Sequence, residues 1–132
     1  MKKFVALLIA ALMVLSVPAL AESEKTYTVG ICQLVQHVAL DAATQGFKDA
    51  LTEKLGDNVK FNEQNASGDS ANCITIINGF LADNVDLIMA NATPALQAAQ
   101  AATADTPILG TSVTDYGTAL DIADWTGATG MN

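Results

Sequence analysis

Few side chains in this sequence are equipped for chemistry, and most of them fall in short polar breaks behind apolar runs. The run 85–90 ends in Asn91-Ala92-Thr93-Pro94 and restarts as a segment rich in alanine and glutamine. An earlier run, 26–34, carries Gln33 near its end and gives way to Gln36 and His37, and a later one, 107–113, gives way to Thr114 and Asp115. Amides, hydroxyls, one imidazole and one carboxylate can hydrogen-bond or pair with a charged ligand. They do not make a catalyst. His37 is the sole histidine, has no acid beside it at metal-ligand spacing, and has no cysteine or serine partner at a recognisable distance. No G-x-G-x-x-G follows the first apolar run, and no phosphate-cradling G-x-x-x-x-G-K-S/T occurs. The expected chemistry is therefore binding, with no catalytic residue, no metal site and no cofactor.

Each candidate also has a plain structural role. Thr93 can cap a following helix whose first position Pro94 suits, leaving the amides of Ala95 and Leu96 in need of partners. A ligand carboxylate at the positive end of that helix is one such partner. Asp115 can pair with an ammonium group or cap the turn that follows it. Gln33 can hydrogen-bond a ligand or face solvent, and His37 can line a pocket or sit satisfied on a surface loop. Tyr116 and Trp125 suit packing or interdomain contact better than ligand stacking. Asn65-Ala66-Ser67 and Asn91-Ala92-Thr93 match a glycosylation pattern by coincidence. Cys32 and Cys73 are too far apart for a C-x-x-C motif and sit in apolar surroundings, as two buried thiols would.

The elements that must position these residues follow from periodicity. Residues 26–34, rich in β-branched types, predict a strand. Leu40, Thr44, Phe47, Leu51 and Leu55 recur at three- and four-residue intervals and predict a helix over 38–55, stopped by Gly56-Asp57-Asn58. A second strand is expected over 59–64. The loop 65–70 leads from it into a helix capped by Asp69, with Cys73, Ile74, Ile77, Phe80 and Leu81 as its buried stripe. Residues 85–90 predict a central strand buried on both faces, 94–103 a third helix, and 107–113 a fourth strand. The chain after Asp115 is polar and glycine-rich and yields no assignment. The order β-α-β-α-β-α-β implies an α/β fold with a parallel sheet and helices on both faces. In such sheets ligands sit beyond the carboxyl ends of the strands, which is where the polar breaks lie.

Composition narrows the partners. The sequence carries a net charge of −8 and contains no arginine. Nucleic acid is excluded as a partner because no basic patch exists to neutralise phosphate. Residues 1–21 have the pattern of a secretory signal: Lys2 and Lys3, an apolar run over 4–17, a break at Pro18, and Ala19-Leu20-Ala21 as a cleavage site. The apolar run is short for a membrane span, and no cysteine stands at the cleavage point to carry a lipid. Cleavage after Ala21 leaves enough chain, 22–132, for one modest domain outside the cytoplasm, in the periplasm or at the cell surface.

Three stretches, GICQLVQHVALDAATQGFKDAL, VDLIMANATPALQAA and TPILGTSVTD, together resemble the substrate-binding proteins of ABC transporters. They resemble most the family associated with uptake of tryptophan, tyrosine or phenylalanine. The resemblance implies one lobe, the N-terminal one, of a two-lobed type I periplasmic-binding-protein fold whose second lobe lies beyond Asn132. It also implies a small zwitterion as ligand, an aromatic amino acid, with a permease and an ATPase as partners. Gln33, His37, Asn91, Thr93, Thr114 and Asp115 are then the candidate ligand-binding residues. One departure is Val38, which stands where the family often has proline. A ligand-sensing receptor domain would use the same lobe. A small α/β nucleotide-binding enzyme is the remaining alternative, and the missing glycine motifs count against it.

Overall fold

The structure, a computed structural model, describes residues 24–127. Four strands and four helices alternate: β1 (Tyr27–Gln33), α1 (Val38–Leu55), β2 (Val59–Asn65), α2 (Ser70–Ala82), β3 (Leu87–Asn91), α3 (Thr93–Ala102), β4 (Ile108–Thr111) and α4 (Tyr116–Leu120). The strands form one parallel sheet in the order β2-β1-β3-β4. This is the expected α/β arrangement, with α4 as the element that periodicity did not reveal.

Because side chains alternate across a strand, the two faces of the sheet have separate cores. On one face Val29, Ile31, Val59 and Met89 pack with Phe47, Leu51 and Leu55 of α1. On the other, Cys32, Ile88 and Ala90 pack with Cys73, Ile77 and Phe80 of α2 and with Ala95, Leu96 and Ala99 of α3. Helices therefore cover both faces, and β1 and β3 lie in the middle of the sheet. Gly30 explains how closely α2 approaches: a Cβ there would stand 2.5 Å from the Phe80 ring. Ile74, expected in the buried stripe, is instead 53% exposed. The helix turns its Cys73–Ile77–Phe80 edge inward, and Ile74 lies one residue past that edge.

Cys32 and Cys73 are free and buried, as expected. The two thiols share one core cluster, and burial, followed by the proximity of Cys73, pushes the Cys32 thiol up to about 12. At the amino end of the sheet, Asp86 accepts from Thr28 N at 2.9 Å and pairs with Lys25 at 2.9 Å. That ion pair is largely solvent-exposed, so solvent screening leaves it little weight in stability. Among the described residues, no helix is long and apolar enough to cross a membrane. The proposed signal segment lies outside the described residues.

Candidate functional site

The four strands end level with one another. Asn65, Gln33, Asn91 and Thr111 are register partners across the sheet, so a row of polar residues closes its carboxyl end. Main-chain hydrogen bonds tie the loops that follow: Ala66 N to Gln33 O, Gly68 N to Leu34 O, Leu34 N to Asn91 O and Ala92 N to Thr111 O, all between 2.7 and 3.1 Å. The rim is thus a continuous band of backbone, and the candidate residues are distributed along it.

Gln33 and Asn91 lie beneath the band. Gln33 does not face solvent; it is 4% exposed because Ile31 and Val29 set it on the face that α1 covers. Its Oε1 accepts from the Thr44 hydroxyl at 2.7 Å, and its Nε2 donates to Asp41 at 2.6 Å and to Val35 O at 3.0 Å. Asn91 is fully buried. Its Nδ2 donates to Leu40 O and to Thr44 Oγ1, both at 2.9 Å, and more distantly to Gln33 Oε1 at 3.5 Å. Its Oδ1 is buried with no hydrogen-bond partner among the described residues. Leaving such an acceptor unpaired costs about 1–3 kcal/mol. Complete burial also bars Asn91 from carrying a glycan.

Three of the other four candidates, His37, Thr114 and Asp115, lie in the loops, and Thr93 begins α3. His37 is exposed and caps α1, its Nδ1 accepting from Ala39 N at 3.2 Å. Val38, in the position where proline was noted as common, begins α1 and is 82% exposed. Thr93 does not cap α3. The capping position is Ala92, whose side chain has nothing to offer, and Thr93 and Pro94 form the first helical turn. Leu96, expected to need a partner, has one: its N–H bonds to Ala92 O at 3.1 Å. Pro94 has no N–H, so the first-turn amides without a capping side chain are those of Thr93 and Ala95. Thr114 and Asp115 follow β4 on the exposed surface. Asp115 takes the capping role: its carboxylate accepts from Thr118 N at 3.1 Å and from the Thr118 hydroxyl at 3.0 Å. Those bonds, the backbone one first, hold its pKa below the usual carboxylate value, so it is ionised at neutral pH. Gln97 of α3 donates to Ala119 O, which ties α3 to α4 beside this loop.

Periodicity concealed the backbone at Ala92. Its φ of 94° and ψ of 158° fall in a region that belongs essentially to glycine. Ser67 and Ser112, which follow β2 and β4, also have positive φ, at 56° each. Three of the four rim loops therefore hold a non-glycine residue in a left-handed conformation. Strain of this kind persists only where the surroundings impose it, and it clusters at binding sites. Tyr116 and Trp125 stack on each other with centroids 5.4 Å apart, and the Tyr116 hydroxyl donates to Gly110 O, so both serve packing. Among the described residues, no group of three or more side chains is placed to hold a metal.

An uncapped helix start, strained turns and a polar row thus meet at the carboxyl edge of a parallel sheet in an α/β lobe, the edge beyond which ligands sit in open sheets of this kind. The ABC transporter substrate binding protein family matches residues 28–132. The chain is 46% identical over 97 residues to the tyrosine-binding protein of Clostridioides difficile (strain R20291), an alignment covering 71% of this chain and 28% of that protein. Among solved structures it is similar to the ABC domain in complex with L-Trp from Streptococcus pneumonia, with 32% identity and a TM-score of 0.70 over 76% of this chain and 35% of that one. A ligand-free, open substrate binding protein with adhesive properties from Clostridium difficile aligns with 43% identity and a TM-score of 0.68, over 71% of this chain and 33% of that one. The chain belongs to the ABC transporter substrate-binding protein family, as the three stretches suggested. The family is one of binding proteins rather than enzymes, and its members typically work outside the cytoplasm. The chain spans about a third of the length of these relatives.

Proposed function

We propose that the complete protein is the extracytoplasmic solute-binding component of an ABC uptake transporter, exported by a signal over residues 1–21 that is removed after Ala21. It captures an aromatic amino acid between the described lobe and a second one and presents it to a permease and its ATPase. Family membership supports the class. The relatives described as tyrosine-binding and as complexed with L-Trp support the ligand. The observation that carries the placement is Ala92, a strained residue that heads α3 without capping it.

The chemistry of the rim suits a zwitterion. With no arginine in the chain, this lobe cannot grip the ligand carboxylate with a guanidinium fork. The amide of Thr93 and the hydroxyls of Thr93 and Thr114 receive it instead, helped by the α3 dipole. The ammonium lies near Asp115, which is ionised and has acceptor capacity beyond its cap bonds. Charge-assisted bonds contribute roughly 1.5–3 kcal/mol. Asp115→Asn should therefore weaken binding of L-tyrosine or L-tryptophan by the complete protein about 10- to 100-fold. Calorimetric titration with each amino acid and with its deaminated acid tests the assignment. If Asp115→Asn leaves the preference between those two ligands unchanged, Asp115 does not read the ammonium.

A further inference from the structure

We propose that Thr44, Gln33 and Asn91 are positioning residues that hold the ligand loop 92–95 in its binding geometry from beneath, without touching the ligand. The inference rests on the proposed amino-acid site and names the device that sets its shape. Thr44 is the hub. It lies in the second turn of α1, is 3% exposed, and is the polar member of an otherwise apolar stripe. Its hydroxyl donates to Gln33 Oε1 at the end of β1 and accepts from Asn91 Nδ2 at the end of β3. Gln33 continues the chain outward to Asp41, and Asn91 continues it to Leu40 O, so both branches return to α1. The carboxyl ends of the two central strands are thereby fastened to one helix.

This arrangement does more than fill space. Asn91 is held by its side chain to α1, and its carbonyl accepts from Leu34 N. The next residue is Ala92, in its glycine-only conformation, and the next turn is the open start of α3. A strained residue needs its neighbours fixed on both sides. The Thr44 network fixes the preceding one, and the Ala92 N to Thr111 O and Leu96 N to Ala92 O bonds fix the rest. The unpartnered Oδ1 of Asn91 fits the same account, because an apolar side chain would pack there without leaving an acceptor unpaired and would lose the tie to α1.

Thr44→Val tests the proposal in the complete protein, because it keeps the shape and removes the hydroxyl. At a temperature where the variant is fully folded, its affinity for L-tyrosine or L-tryptophan should fall at least tenfold. Hydrogen exchange at the Leu34, Ala92 and Leu96 amides should rise by a similar factor, while exchange in the β1–β2 ladder is unchanged. Thr44→Ser should restore both. Unchanged affinity in a folded Thr44→Val protein would overturn the proposal. If wild-type protein binds neither amino acid, the ligand assignment fails on its own, and the exchange data decide positioning: faster rim exchange supports it, and unchanged rim exchange overturns it. Should Thr44→Val not fold, Asp41→Ala removes an exposed link of the same chain. It should weaken binding about threefold and speed exchange at the same amides, and no change in either would equally refute the idea.

Discussion

The two ends of the sheet turn the chain by different means. At the amino end, the returns from α1 and α2 place Gly56 and Asn84 in the left-handed region, at φ 55° and 53°. Glycine and asparagine adopt that conformation at low cost. At the carboxyl end Gly68 also has positive φ, at 81°, but it is joined by Ser67, Ala92 and Ser112, residue types for which that conformation is unfavourable, with Ala92 the most extreme. The amino end is tied by an exposed ion pair and a backbone bond at Asp86. The carboxyl end has a buried polar network containing an unpaired oxygen. One end is built for stability, and the other, where the proposed ligand site lies, holds strain that packing must offset.

Substitutions at the two ends of the sheet have different expected effects. The core shared by both ends gives the largest effect: Phe80→Ala should destabilise the fold by about 3–5 kcal/mol in urea titrations. Its affinity measured on folded protein should not change. A large loss of affinity there would mean that the site depends on the whole core rather than on its rim. Ala92→Gly should have the opposite signature. Relief of strain should raise stability by about 1 kcal/mol, while affinity drops severalfold because glycine lets the loop leave its geometry. Destabilisation by this change would show that no strain is stored at Ala92. At the other end, Asn84→Ala should cost about 1 kcal/mol or slightly less and leave affinity untouched.

Much of this was legible in the sequence, and the reasons are local. The α1 stripe, the Asp69 cap and the central run ending at Asn91 are each specified by residues a few positions apart. Thr44 was recognisable as inward-facing, but its partners Gln33 and Asn91 lie 11 and 47 residues away, and no periodicity links them. Gln33 and Asn91 were recognisable as polar residues at strand ends. Whether they point to ligand or to α1 depends on strand alternation relative to a helix that packs later. Ala92 was hidden for a different reason: an alanine side chain carries no signal of its own φ, and Thr93 beside it was the better capping type. Ile74 was misplaced because a stripe read from spacing alone is wider than the edge that α2 buries. The five residues of α4 are too few for periodicity, although Asp115 was recognisable as a possible cap.

The opposite candidate for a binding surface lies between α2 and α3. Neither helix contains a charged residue, and a groove of about 450 Å³ runs between them, lined by Ile74, Asn78, Ala98 and Ala101 among others. It has the apolar character of a small-molecule site and reaches the starts of α2 and α3 at Ser70 and Pro94, but none of the residues with positive φ lines it. Mapping amide chemical shifts of the complete, isotopically labelled protein during titration with L-tyrosine or L-tryptophan separates the two most directly. With the ligand at the rim, the largest changes fall at Thr93, Ala95, Thr114 and Asp115. Changes concentrated at Ile74, Asn78, Ala98 and Ala101, with the rim amides unmoved, would contradict that placement.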